Sequence, residues 1–251
     1  MNIARWIQRF RENDHEEVLD WSAPVTLEEL PRRELAKSLA IFQLGESGEG
    51  STLFRYAEKV GATSGYEDYP VALRLFIEEE HRHARLLADM VKRLGGTLLT
   101  KQWSAGAFRR FRKLINIEFH LQIFLTAEII AEAYYDLLRR FSRDPVIEQA
   151  CGRILKDEVG HLGFHAAFFH SWMSDWSPIT KQLWRWQCEV ILQGIKWGVW
   201  FDHRRCFMSL GVSRRQFFTR VTKAERTFLR RTFPATFSGK WCSISTTTKN
   251  S

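Results

Sequence analysis

With 251 residues, 45% of them hydrophobic and 26% charged, the chain suits a globular protein with one sizeable core, built as one domain or as a domain with an appendage. Its four cysteines form no C-x-x-C pair, which argues against a zinc ribbon, a rubredoxin-type iron site and a disulfide framework. The formal charge of +8 is concentrated after residue 176, where 14 Lys or Arg face 3 acidic residues.

Apolar residues recur with a helical period throughout, and strand patterns are nearly absent. Thr26 and Glu29 have the spacing of a capping box before the first long helix. Glycine, proline and turn residues divide the rest into predicted helices at about 33–60, 70–94, 108–141 and 145–172, followed by one or two more. The resulting segments are an N-terminal amphipathic or capping segment 1–32, a bundle 33–176, a basic, Trp-rich helical extension 177–240 and a disordered tail 241–251.

Connections that are short, then long, then short predict an all-α fold in which two helical hairpins are joined by a crossover. In each of the four helices, the apolar stripe is interrupted midway by Glu or His, on the face that would point inward. Buried carboxylates at one depth would repel each other unless cations lay between them. The pattern therefore predicts a metal site in the middle of the bundle.

The polar positions repeat between the two halves of the chain. Glu49 and Tyr56 share an E-x6-Y spacing with Glu128 and Tyr135. Glu80 and His83 share an E-x-x-H spacing with Glu158 and His161. Two helical hairpins would thus each supply the same set of side chains.

These motifs resemble those of the ferritin-like di-iron carboxylate superfamily over residues 33–172. One Glu from each of two helices and a Glu-x-x-His from each of two others form its recurring site. The run Glu79 to His83 fits the [D/E]-E-x-R-H form of the di-iron oxidases and oxygenases, and Asp157 to His161 matches it without the Arg. The resemblance implies a ferritin-like four-helix bundle holding two Fe ions, or Mn and Fe, on six ligands: Glu49, Glu80, His83, Glu128, Glu158 and His161.

The resemblance also implies that Glu79 and Asp157 accept hydrogen bonds from ligand histidines. Other positions stay open. Glu46 could replace or assist Glu49, and His165 could be a seventh ligand or a hydrogen-bonded core histidine. Glu132 could support the ligands or lie at an access channel, while Tyr56 and Tyr135 could be redox-active or could simply pack and form hydrogen bonds. The glycines at 45, 48 and 50 predict a helix distortion beside Glu49.

The predicted function is O₂ activation by two irons to oxidise or hydroxylate an organic substrate, acyl, lipid or carrier-bound. The alternatives are a ferroxidase or rubrerythrin-like peroxide scavenger, and an RNA-modifying di-iron hydroxylase.

Predicted partners are an external electron donor, a second copy of the chain in a homodimer, and an acidic protein, RNA or anionic membrane surface at the basic C-terminal region. Its tryptophans Trp184, Trp186, Trp197 and Trp200 could line a substrate tunnel or form core. The charged N-terminus lacks a secretory signal and no long apolar run is present, so a cytoplasmic location is expected.

Overall fold

The computed structural model describes residues 1–13, 19–47, 51–100 and 117–234, and the side chains of residues 51, 52 and 117–120 are not described. Within these ranges the chain is all-α and has eight helices. Their bounds are α1 Ile3–Glu12, α2 Glu29–Glu46, α3 Ser51–Gly61, α4 Tyr69–Arg93, α5 Ile117–Phe141, α6 Pro145–Trp172, α7 Pro178–Ser209 and α8 Arg214–Thr232. None of these described helices combines the length and hydropathy needed to cross a bilayer.

Helices α4 and α6, which carry the two E-x-x-H motifs, pack against each other near the centre of the fold. Helices α2 and α3 pack on α4, and α5 packs along α6. α1 lies on α4, while α7 contacts α2 and α5 and α8 contacts α5 and α6. A single core of buried apolar side chains extends through these helices, so the E-x-x-H motifs face a largely apolar interior.

The sequence predicts one long helix at about 33–60, where the structure has two helices, α2 and α3. α2 ends at Glu46 with Ser47 as its C-cap, and α3 begins at Ser51. Gly45 stands one residue before the end of α2, and glycine is a poor helix former because it loses the most backbone entropy. The glycines at 48 and 50 lie outside the described ranges, so the distortion beside Glu49 stays a prediction.

The predicted capping box at the start of α2 is wrong. The N-cap is Glu28, without a side-chain cap hydrogen bond. The Thr26 backbone N–H instead donates to Asp144 Oδ2 at 3.1 Å, and the Thr26 hydroxyl donates to the Arg143 carbonyl oxygen at 3.0 Å. Thr26 thus bonds to Arg143 and Asp144 at the start of α6 and not to the backbone of its own helix. The spacing of residues in the sequence cannot reveal a contact between such distant positions.

The remaining boundaries agree closely with the sequence, where the structure describes them. α4 begins one residue before Pro70 and ends at Arg93, and α6 covers Pro145–Trp172. The predicted start of the third helix at 108 and the predicted disordered tail 241–251 lie outside the described residues. The region after Ser177 forms two helices, whose packing on α5 gives it a direct part in the core.

Candidate metal centre

Four buried side chains from three helices come together between α4, α5 and α6. Glu80, Glu128, Glu158 and His161 each offer one ligand atom, and the four atoms lie within 4.8 Å of one another. His161 Nδ1 is 2.9 Å from Glu80 Oε1, 3.4 Å from Glu128 Oε2 and 3.7 Å from Glu158 Oε2. This group could hold a metal ion, because carboxylate oxygens and imidazole nitrogens at this separation match a coordination sphere.

His83 completes the symmetry of the two motifs. Its Nδ1 lies 3.4 Å from Glu158 Oε1 and 3.8 Å from Glu80 Oε1, and its ring centroid is 5.5 Å from that of His161. Glu80 and Glu158 therefore lie between the two histidines and are near both. Carboxylates in this position can bridge two cations, each with one imidazole ligand.

Within the described residues, the polar atoms facing this centre lie close to one another but form no hydrogen bond of standard geometry. Buried polar atoms are nearly always hydrogen-bonded, and leaving one unpaired costs about 1–3 kcal/mol. Here the unpaired buried atoms are Glu80 Oε1, His83 Nδ1, Glu128 Oε2, both carboxylate oxygens of Glu158, and His161 Nδ1. Six such atoms directed at one point fit a cation site, since coordination would satisfy all of them together.

The other nitrogen of each histidine is held by a carboxylate from the opposite motif. His83 Nε2 donates to Asp157 Oδ2 at 3.1 Å, and His161 Nε2 donates to Glu79 Oε2 at 2.8 Å. Because Nε2 is the nitrogen that donates to the carboxylate in each pair, Nδ1 faces the centre and can bind a cation once it gives up its own proton. The acidic residue before each central Glu thus orients the histidine of the other helix.

One amide joins these two carboxylates. Asn13 Nδ2, just beyond α1, donates to Glu79 Oε1 at 2.8 Å and to Asp157 Oδ1 at 2.6 Å. α1 reaches this position by lying close to α6, where a Cβ at Gly163 would be 3.1 Å from the Trp6 ring. Phe10 of α1 is buried and packs against the His161 ring. α1 therefore closes one side of the site and keeps water from the histidines.

Proton binding in the metal-free site follows from burial and close charges. Burial alone would lower the pKa of His83, but its hydrogen bond to Asp157 and its close contact with the Glu158 carboxylate raise it to about 10. Burial, and then the charge of Glu158, raises the pKa of Glu128 to about 8. Burial would also raise the pKa of Glu158, yet His161 and His83 lower it to about 2. At neutral pH, protons thus occupy His83 and Glu128 while Glu158 is ionised.

The end of α2 also contributes a carboxylate to this region. Tyr135 Oη of α5 donates to Glu46 Oε1 at 3.2 Å. Burial and the neighbouring charge of Glu80 raise the pKa of Glu46 well above its usual value. Glu46 therefore lies near the central group, while Glu49 lies outside the described residues.

Tyr56 of α3 is buried, and its ring packs edge to face against Phe168 of α6.

Two further sequence-predicted residues have surroundings that differ from those of the central group. Among the described residues, His165 forms no ion pair, and its ring packs on Phe76 and Phe124. Burial lowers its pKa to about 3, so it is neutral. Glu132 accepts from Arg220 Nη2 at 2.8 Å, and the same guanidinium binds Asp136. Glu132 is thus paired with α8.

Comparisons of the chain with protein-family models, with curated proteins and with solved structures gave no match. The assignment of the site consequently depends on the residues of this chain alone. Sequence analysis missed two residues of this region: Asn13, which lies in the segment 1–32 outside the predicted bundle, and Arg220, one of many basic residues of the C-terminal region. Only contacts between distant parts of the chain reveal either one.

We expect Asn13→Ala to lower metal affinity by about ten-fold or more while leaving the helical content unchanged. The substitution removes the donor that holds Glu79 and Asp157, so both histidines lose part of their orientation. Competition with a chromophoric chelator would measure the affinity. Gln8→Ala is the matched control, since Gln8 is an exposed amide side chain whose hydrogen bond, among the described residues, goes to exposed Glu12 of the same helix. Equal affinities for the two variants would contradict the positioning role of Asn13.

Proposed function

We propose that this protein is a ferritin-like di-iron carboxylate oxidoreductase, which activates O₂ to oxidise or hydroxylate an organic substrate. The proposal rests on the way the two Glu-x-x-His motifs come together. In each motif the histidine directs Nδ1 at carboxylates that both motifs share, and its Nε2 donates to an acidic residue. Each Nδ1 lies 2.9–3.8 Å from these carboxylates, and four of their oxygens form no hydrogen bond of standard geometry within the described residues. Three carboxylates crowded around two imidazoles carry more negative charge than the histidines can balance, and bound cations would compensate it.

The donor set favours iron, or iron with manganese, over softer metals. Carboxylate oxygens and imidazole nitrogens suit these ions, and the described group contains no thiolate. Glu80 and Glu158 lie near both histidines and would bridge the pair. Glu128 and Glu46 would each add a further carboxylate, and Glu49 retains the role that the resemblance implies. Bound iron would supply the redox chemistry that activates O₂.

The chain's own residues would orient the ligands and exclude water. Asp157 and Glu79 hold each Nε2 proton, so Nδ1 is the nitrogen that would bind a cation after losing its proton. Aromatic rings surround the His161 side of the centre, with Phe76 at 4.5 Å and Phe10 at 6.3 Å between ring centroids. An apolar wall of this kind protects a reactive oxidant from water and from side reactions.

A ferroxidase that passes iron through the bundle is less well supported. Moving Fe²⁺ towards the centre along α5 would need carboxylates that are free to bind it. Arg220 pairs with both Glu132 and Asp136, the acidic residues that follow Glu128 on α5. Asp136 also pairs with Arg140 at 2.9 Å, so two arginines balance the two carboxylates. Carboxylates paired in this way favour resident metals over a route for iron transfer.

Anaerobic titration with Fe²⁺ followed by addition of O₂ tests the proposal. We expect about two irons per chain, a coloured transient after O₂ is added, and no mineral when Fe²⁺ is in excess. Rapid oxidation of added Fe²⁺ into a retained mineral would instead assign the protein to the ferroxidases. Absence of stoichiometric iron or manganese binding after reconstitution would refute a metal function altogether.

Metal binding should release protons and should tighten as the pH rises from 6 to 9. His83, with a pKa of about 10, and Glu128, with a pKa of about 8, are protonated in the metal-free protein at neutral pH, and a cation must displace those protons. Calorimetry in buffers of different ionisation enthalpy counts the protons released. Glu128→Gln should release fewer of them. Affinity that does not change with pH would show that the metal binds elsewhere.

A further inference from the structure

One face of α7 carries a continuous row of exposed apolar side chains. Of the eleven large apolar residues most exposed in the described part of the chain, seven are on this helix, with exposed fractions between 39% and 74%. We call this row the α7 stripe: Ile179, Leu183, Trp186, Val190, Trp197, Phe201 and Met208.

The stripe is straight and long. Its members follow one another at intervals of three, four or seven residues, and Gly194 and Arg205 occupy the two positions where a large apolar side chain is missing. That period keeps every member on one side of an α-helix. The 32 residues of α7 extend for about 48 Å, at about 1.5 Å per residue. α7 faces α2, α5 and α8 with its other side. α8 reaches the edge of the stripe at Trp197, whose ring centroid is 4.9 Å from that of Phe218, and the seven side chains remain at least 39% exposed.

Positive charge borders the stripe at its C-terminal end. The guanidinium of Arg204 lies 5.8 Å from the Phe201 ring, and that of Arg214 lies 5.4 Å from the Trp197 ring. Arg205 is exposed beside them. The acidic residues of α7 are Glu189, on one flank of the stripe near Lys196, and Asp202, half-buried on the other flank about 100° around the helix from Phe201. The face that carries the stripe is therefore apolar and cationic.

We propose that the α7 stripe binds the surface of a bilayer that contains anionic lipid, with α7 lying in the plane of the interface. Tryptophan is favoured at the boundary between hydrocarbon and water, and arginine can extend its apolar stem there while its charge stays among headgroups. Anionic headgroups complement Arg204, Arg205 and Arg214. An interfacial helix needs this combination of large apolar side chains on one face with basic residues beside them.

Charge disfavours a second copy of the chain as the occupant. In a parallel pair of α7 helices, Arg204 and Arg205 would face the same residues of the other copy. In an antiparallel pair, they would meet the positive end of the partner's helix dipole. Like charges approach in both arrangements. A surface of anionic lipid has no such conflict.

Flotation of the full-length protein with vesicles tests the proposal. We expect the protein to float with vesicles of equal parts phosphatidylglycerol and phosphatidylcholine and to stay behind with phosphatidylcholine alone. Leu183→Gln with Trp186→Gln should lower partitioning at least about ten-fold. Leu30→Gln is the matched control, because Leu30 is similarly exposed on α2 and should leave binding unchanged.

Charge is tested separately. Arg204→Gln with Arg205→Gln should lower partitioning about five-fold for each residue at low salt, whereas Arg55→Gln with Lys59→Gln, exposed on α3, should have little effect. Binding to neutral and anionic vesicles alike would overturn the proposal, as would no vesicle binding. So would a dimer, in sedimentation equilibrium, that Leu183→Gln with Trp186→Gln dissociates. Iron content is measured in parallel, so the metal centre and the membrane contact can fail independently.

Discussion

Glu128→Met should abolish stoichiometric metal binding and, at the same time, make the metal-free protein more stable. Glu128 is 4% exposed and its Oε2 has no hydrogen-bond partner, so burying this carboxyl costs free energy when no cation is bound. A methionine of similar length replaces it with apolar contacts. Removing the unpaired acceptor should increase the free energy of unfolding by about 1–3 kcal/mol.

Thermal unfolding with and without added metal measures both effects. Wild-type protein should unfold at a higher temperature when Fe²⁺ or Mn²⁺ is present, because the ions bind only the folded state. The variant should unfold about 2–10 °C higher than metal-free wild type, with no further change on adding metal. Such opposite shifts are typical of a residue that is retained for function at a cost in stability.

Glu132→Gln is the matched control for this experiment. Glu132 lies one turn further along α5 and is also buried, but Arg220 pairs with it. Its replacement should leave metal stoichiometry unchanged and should lower stability, because Arg220 loses one of its two carboxylate partners. Loss of metal by both variants, or by neither, would show that the group around Glu128 is not the metal centre.

Asp144→Ala should lower the free energy of unfolding by about 3–5 kcal/mol. Asp144 is fully buried and is the N-cap of α6, where its Oδ1 accepts the backbone N–H groups of Val146 and Ile147. It also pairs with Arg93, whose side chain is 4% exposed, at 3.0 Å. Alanine would leave a buried guanidinium and a helix N-terminus without their shared acceptor.

Urea unfolding at several pH values measures this contribution. Burial would raise the pKa of Asp144, but the backbone N–H groups and Arg93 hold it below its ordinary value of 3.8. A depressed pKa means that the stabilisation is fully present above pH 3.8 and is lost as the pH falls through the lower, folded-state pKa. The difference between wild type and Asp144→Ala should therefore be constant near neutral pH and should shrink in strong acid.

Asp20→Ala provides the comparison. Asp20 also accepts a nearby backbone N–H, that of Ser22, but it is exposed and so should have a much smaller effect. If Asp144→Ala were no more destabilising than Asp20→Ala, the network between Asp144 and Arg93 would not contribute to stability. The metal content of both variants should match that of wild type, since neither residue contacts the centre.

The sequence by itself determined the bounds of α4 and α6 and which of their residues face the centre. The helical period of the apolar residues, together with proline at the start and glycine at the end, located α4 and α6 almost to the residue. Pro70, Pro145 and the glycines after α4 are helix start and stop signals that depend only on neighbouring residues. The repeat of Glu80 and His83 as Glu158 and His161 indicated the central residues, since i, i+3 spacing places both side chains on one face of a helix. These features depend only on residues close together in the chain.

Only the tertiary structure decided which distant groups share a proton or a charge. Glu79 holds His161 rather than its neighbour His83, and Asp157 holds His83, because α4 and α6 pack side by side. The residues that the packing paired, such as Asn13 with both of these acids and Glu132 with Arg220, are more than 60 positions apart. No periodic pattern records such pairs, since they form only when the buried faces of the helices meet.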